Sequence, residues 1–350
     1  MSPLARISMF IRTLAWIVLT IILGFSEAYA PVVICPGFGN DSIDYDTPLD
    51  QPSSVGLISV LSRRGFDKDK IYTVPVERTD WARVALGLFD IPRFYTNDSL
   101  PSGFGYGWYL QRLKDEVDRA YEESGGQKVI LLAHSAGGWL ARAAMADGIW
   151  CSEREIKTSD RIRCLTTLGA IHRLPSVDPT SCVTRGALKN TDALYPGALL
   201  RDEGIAYVTI GGSAVVGDDA EPNDIKLSEA DELYSKRGEG SAARVAYTSY
   251  KAVSGIGNTI GDGVVPLDWA HLEGAKQITL DGVVHSINEA GTTIPSNRWY
   301  GSEDVIDRWL PIVLEEAGLV KGSKGPSSSF SIANIFSSLG LQKNEIDGSR

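Results

Sequence analysis

The run Leu131-Leu132-Ala133-His134-Ser135-Ala136-Gly137-Gly138-Trp139 constrains how this chain folds more than any other stretch. Residues 128–133 are β-branched or aliphatic and read as a strand, while residues 140–145 favour a helix. Between them a serine sits among small residues, which allow strand and helix to turn sharply against each other and hold the serine in a strained conformation. The pattern is the elbow Gly-x-Ser-x-Gly with Ala133 in place of the first glycine, and alanine is still small enough for that approach. A strand feeding directly into a helix implies a parallel sheet, whose strands need helical returns.

The rest of the chain repeats the alternation. Strand-like runs occur at 32–35, 71–76, 128–133, 162–168, 206–210 and 276–280, each bounded by Gly, Pro or Asp. Leu110, Leu113, Val117 and Tyr121 fall three or four apart with charged residues between them, which predicts a helix ended by Gly125-Gly126. Val305, Ile306, Trp309, Leu310 and Val313 predict a closing helix over 303–316. The expected class is therefore α/β, a mostly parallel sheet flanked by helices, in one domain over 31–320. Two stretches, 173–203 and 211–257, break the alternation and read as insertions over the sheet. In the first, Leu194, Tyr195, Leu199 and Leu200 are candidates for a partly apolar cap, or for packing against the body. The tail 321–350 is rich in Ser and Gly and reads as flexible, with a short amphipathic pattern at 330–341.

At the other end, Arg6 and Arg12 precede an apolar run at 14–25 and then small residues through Ala30. That order predicts a signal peptide over 1–28 and entry into the secretory pathway, since the run falls short of the about 20 residues that span a bilayer. Cleavage after Ala28 is favoured over Ala30 because Pro31 follows the latter. The junction at 26–31 also resembles a bipartite plastid-targeting segment, which gives the alternative destination. In an oxidising compartment Cys151 and Cys164 are candidates to pair, whereas Cys35 reads as a small buried hydrophobe. Of the sequons at Asn40 and Asn97, only Asn97 lies in a stretch that reads as an exposed loop.

A serine hydroxyl becomes a useful nucleophile when a base takes its proton and an acid orients that base. Four histidines are available. His134 is built into the elbow, where with Gly37 it is expected to face substrate. His172 and His271 lie elsewhere, and His285 directly follows the last strand. The acid is expected at Asp262, in the glycine-flanked loop Gly261-Asp262-Gly263-Val264-Val265-Pro266, with Asp268 and Asp281 as rivals. Two main-chain N–H groups are needed for a developing oxyanion. Ala136 supplies one, and Pro36-Gly37-Phe38-Gly39 after the first strand supplies the other through Phe38.

These four elements together resemble lipase-type α/β-hydrolases over about residues 31–318, in particular the plastid and cyanobacterial group labelled GPI inositol-deacylase-like. The resemblance implies an α/β-hydrolase fold and ester hydrolysis, with Ser135 as nucleophile, His285 as base and Asp262 as acid. Leu168-Gly169-Ala170-Ile171-His172 is similar to a turn of lipases in which the histidine is structural, so His172 is expected to stabilise a loop.

Other classes are disfavoured. A net charge of −10 without a basic run argues against nucleic acid. Neither His-Glu-x-x-His nor a Cys-x-x-Cys pair occurs, and Gly255-Ile256-Gly257 does not link a strand to a helix, so no metal or cofactor is expected. A small-molecule or lipid ester is the expected partner, with peripheral membrane contact possible. Thioester or amide cleavage would use the same residues, and a non-catalytic binding protein is the remaining alternative.

Overall fold

A computed structural model describes residues 29–151, 156–175, 178, 182–219, 242–288 and 295–320. The expected signal peptide over 1–28, the tail over 321–350 and the centre of the second insertion lie outside the described residues. The strands are β1 Val32–Cys35, β2 Ile71–Thr73, β3 Val129–His134, β4 Ile162–Leu168, β5 Ala206–Ser213, β6 Val215–Val216, β7 Ile260–Gly261 and β8 Lys276–Asp281. The main helices are α1 Leu57–Arg63, α2 Gly107–Glu123, α3 Ala136–Ala146, α4 Ala187–Leu194, α5 Ala242–Ser254 and α6 Glu303–Glu316.

Six strands form one sheet in the order β2-β1-β3-β4-β5-β8, every pair parallel, and β6 and β7 form a separate antiparallel pair. Alternation along each strand divides the core in two. Val33, Cys35, Leu131, Ala133 and Leu165 meet α2 and α3 on one face; Val32, Ile34, Ile130, Leu132 and Cys164 meet α1 and α6 on the other. Both faces are covered, which is why these strands read as continuous apolar runs. With six parallel strands in this order, helices on both faces and a sharp serine turn between β3 and α3, this is the α/β-hydrolase fold. The chain leaves β1 toward β2 on one side and β3 on the other, and in open α/β sheets that point of divergence is where ligands bind.

Three boundaries depart from expectation. β2 ends at Thr73 instead of residue 76; Val74 still donates to Ile34, but Pro75 has no N–H to extend the ladder. β5 runs on through Gly211 and Gly212, which pair with Thr279 and Leu280 of β8. Those glycines read as an ending in sequence, yet a side chain at Gly212 would overlap the Val283 carbonyl, so they mark close packing within a continuing strand. The first insertion contains α4, and Leu200 packs into the core while Leu194 and Leu199 remain exposed. The two candidates to pair do not: Cys151 is exposed and free, and Cys164 is free and buried within β4.

Segment 78–89 is a long 3-10 helix. Side chains three apart eclipse in that geometry, and Trp81, Val84 and Gly87 accordingly turn toward the body. Leu86, Leu88 and Phe89 face outward, followed by exposed Ile91 and Tyr95. Among the described residues no helix is long and apolar enough to cross a membrane.

Candidate active site

Ser135 lies between β3 and α3 with φ 52° and ψ −124°, a conformation that costs a non-glycine residue on the order of 1–3 kcal/mol. Its N–H donates to Leu168 of β4 at 2.9 Å, which holds the turn against the sheet. The turn depends on glycine beside it, because a methyl group at Gly137 would overlap the Cys35 carbonyl oxygen. Ala133, by contrast, is fully buried in the core and needs no glycine. β1 and β3 are in register at Cys35 and Ala133, so the loop after β1 arrives beside the serine. A Cβ at Gly37 would lie 2.7 Å from the Ser135 Cβ.

Three expected side chains converge. The His285 Nε2 lies 2.9 Å from the Ser135 hydroxyl, and its Nδ1 lies 2.8 Å from Asp262 Oδ2. The His285 N–H also donates to the Asp262 carbonyl, locking the two loops together. Asp262 Oδ1 accepts from the Val264 and Val265 amides at 3.0 and 2.7 Å. Oδ2 accepts a further bond from the Tyr300 hydroxyl at 2.7 Å, which itself accepts from the Gly212 amide at 2.8 Å. Burial alone would raise the Asp262 carboxyl, but the His285 charge and the hydrogen bonds from His285, Val265 and Tyr300 outweigh it, holding the group below the usual carboxylate range. The acid is thus kept ionised inside the protein, where it can fix the imidazole tautomer and favour its protonated form.

Asp268 lies exposed on the short turn Leu267–Trp269, and Asp281 is exposed at the end of β8, bonded to Ser213. Neither reaches His285 in this arrangement. His172 is buried, bonded to Thr167 at 3.0 Å, with its main chain tied to Trp269 and Arg142. His271 lies between Thr209 and Thr279.

The residue that departs from expectation is His134. Its ring borders the cleft, but it is buried and both nitrogens are committed, Nδ1 to the Tyr45 hydroxyl and Nε2 to the His285 carbonyl, each at 3.0 Å. No polar atom of the ring is left to bind a substrate. The Gly37 N–H is likewise taken, donating to the Tyr45 hydroxyl at 3.1 Å. Among the described residues nothing accepts from the N–H of Phe38 or Ala136, so both amides beside Ser135 are available to a ligand.

A cleft of about 530 Å³ opens at the serine. Phe38, Val84, Tyr106, Trp139, Ile171, Val183, Val264 and Ile287 make most of its wall apolar. Of the two readings for Leu194, Tyr195, Leu199 and Leu200, the cap is not formed, since none of them lines the cleft, and Leu200 packs against the body while Tyr195 bonds to Asp147. Val183 and Thr184 reach the cleft from the same insertion, and Val84 reaches it from the 3-10 helix. Among the described residues no cluster of His, Cys, Asp and Glu suits a metal ion.

No family model and no curated protein matches the chain. Among solved structures it is similar to lipase BlEst2 of Bacillus licheniformis in its mature form, at 13% identity and a TM-score of 0.45, over 82% of this chain and 93% of that one. It is also similar to the metagenomic carboxyl esterase MGS0156, at 12% identity and a TM-score of 0.43, over 84% and 78% of the two chains.

Proposed function

We propose that this chain is a serine hydrolase that cleaves carboxylic esters, of lipid or acyl-lipid type, through an acyl-enzyme on Ser135. The observation that carries the reading is the unbroken series from Asp262 through His285 to the Ser135 hydroxyl, with links of 2.8 and 2.9 Å. In the reaction, the Ser135 oxygen bonds to the ester carbonyl carbon while its proton passes to His285 Nε2. The carbonyl oxygen becomes an oxyanion held by the Phe38 and Ala136 amides. Collapse breaks the bond to the alcohol, which leaves with the proton from His285. A water then repeats the sequence, releasing the acid and regenerating the serine. The narrower likeness to the GPI inositol-deacylase-like group rests on residues 36–39, 133–138 and 261–266 and on His285.

Fluorophosphonate is the direct probe, because it needs an activated serine and no knowledge of the natural ester. Mass spectrometry of the labelled protein is expected to place one adduct on Ser135, with Ser135→Ala taking none. An unlabelled wild-type protein would sink the reading.

The acyl-lipid part is supported by the apolar cleft wall and by the surface beside it. Leu86, Leu88, Phe89, Ile91, Tyr95 and Phe104 are all exposed within one stretch that begins at the cleft residue Val84. An apolar surface of this kind marks an interaction site, and a lipid surface next to the cleft would present its esters there. Burying one large apolar side chain contributes about 1.5–3 kcal/mol. Phe89→Ser with Ile91→Ser is therefore expected to lower turnover of esters in vesicles about tenfold or more, while turnover of dissolved p-nitrophenyl acetate is unchanged. Equal loss on both substrates would count against a lipid surface.

A further inference from the structure

We propose that Tyr45 and His134 act as a positioning pair, joining the loop that carries the Phe38 amide to the loop that carries His285 through one hydrogen-bonded path. The inference rests on the serine hydrolase reading, in which those two loops must be set against the same serine.

The path runs from the Gly37 N–H to the Tyr45 hydroxyl at 3.1 Å, from that hydroxyl to His134 Nδ1 at 3.0 Å, and from His134 Nε2 to the His285 carbonyl at 3.0 Å. Its direction is fixed by chemistry. A carbonyl can only accept, so His134 Nε2 carries the hydrogen; Nδ1 of the neutral ring then accepts, and the Tyr45 O–H donates to it. The same tyrosine oxygen accepts from Gly37, so each bond of the path has one donor and one acceptor. Burial first, and the His285 charge second, push the His134 ring down to about 3, which keeps it in this neutral form.

The pair is held firmly. Tyr45 is fully buried, and Trp299 packs edge-on against both rings at centroid distances of 6.3 and 5.8 Å. The turn Ser42–Tyr45 is fixed at its start by the Asp41 cap and beside Tyr45 by the Asp44 ion pair with Arg78. Engaging the Gly37 N–H also orients the peptide before Phe38, whose own N–H is left for the oxyanion. The Ser135 elbow contributes His134 itself, so the path touches all three segments that meet at the reaction. Neither residue contacts the reacting atoms; both act through Gly37 and His285.

A misplacement of about 1 Å between reacting groups costs on the order of a hundredfold in rate, and loss of one link in a packed site costs less. Tyr45→Phe keeps the ring and removes both of its hydrogen bonds. It is expected to lower kcat on p-nitrophenyl butyrate about tenfold with KM within about twofold. His134→Asn is expected to do the same, and the double variant should lose no more than the worse single one, because either change breaks the same path. Wild-type kcat in Tyr45→Phe, or losses that multiply in the double variant, would overturn the proposal.

A second measurement needs neither a variant nor a substrate. ¹⁵N NMR of histidine-labelled wild-type protein is expected to show His134 as the Nε2–H tautomer with a hydrogen-bonded Nδ1. The Nδ1–H tautomer would overturn the pair. Failure of fluorophosphonate labelling would instead remove the hydrolase reading, while the imidazole spectrum still decides whether the path exists.

Discussion

Asp262→Asn is expected to lower kcat about ten-thousandfold while leaving the protein folded. The effect follows from which atoms can donate. Asp262 Oδ1 accepts from two main-chain amides, Val264 and Val265, so the asparagine must keep its oxygen there and turn its NH2 toward His285 and Tyr300. An NH2 only donates, and His285 Nδ1 must then accept. The imidazole hydrogen moves to Nε2, which faces the Ser135 hydroxyl and can no longer take its proton. KM should change little, because the apolar cleft wall is untouched. Asp281→Asn and Asp268→Asn serve as comparisons, each expected to keep wild-type kcat. Activity surviving in Asp262→Asn, or lost in either comparison, would remove Asp262 from the acid role.

The parts of this molecule that were readable in sequence share a cause. The runs at 32–35 and 162–168 match β1 and β4 residue for residue, because strands buried on both faces carry a continuous apolar signal. Ser135, Asp262 and His285 each stand in a loop at the end of a strand, where small local motifs mark them. Parallel register brings Ser135 and His285 to one end of the six-stranded sheet, while Asp262 arrives from the short antiparallel pair β6-β7 and is tied to the His285 loop by the His285 N–H. Tyr45 and Tyr300 left no such mark, since each meets its partner only through tertiary contact: Tyr45 lies 89 residues before His134, and Tyr300 lies 38 after Asp262.

His134 is more instructive, because a signal was present. It shares strand parity with Ile130 and Leu132, which point into the second core, and its ring accordingly turns toward Trp299 and Tyr300. Adjacency to the serine suggested a substrate contact, and alternation along the strand indicated the interior. In the 3-10 helix at 78–89 the difficulty was the period. Trp81, Val84 and Gly87 repeat every three residues, so neither a 3.6-residue nor a two-residue template detects the buried stripe or the apolar residues left outside it.

Buried neutral histidines make this fold sensitive to mild acid, and a marked loss of stability is expected between pH 7 and pH 5. His134 titrates near 3 in the folded protein and near 6.5 when unfolded. Between those values the unfolded chain binds a proton that the native ring refuses, so stability falls as pH falls. For His134 alone the loss from pH 7 to pH 5 is about 2 kcal/mol. His172 acts in the same direction, held well below its ordinary value by burial first and by the Arg142 charge next. Asp262 also destabilises on acidification, but only once the pH falls into the ordinary carboxylate range, where the unfolded carboxyl takes up a proton that the folded one still refuses. Set against a total stability of about 5–15 kcal/mol, the histidine losses are a large fraction. Urea unfolding at the two pH values should show the midpoint dropping sharply at pH 5. His172→Gln should be less stable than wild type at pH 7 yet lose less on acidification, since its side chain has no proton to take up. A midpoint unchanged from pH 7 to pH 5 would mean that these rings accept protons inside the folded protein, and then the Nε2–H tautomer that ties His134 to the His285 carbonyl would not be fixed by burial.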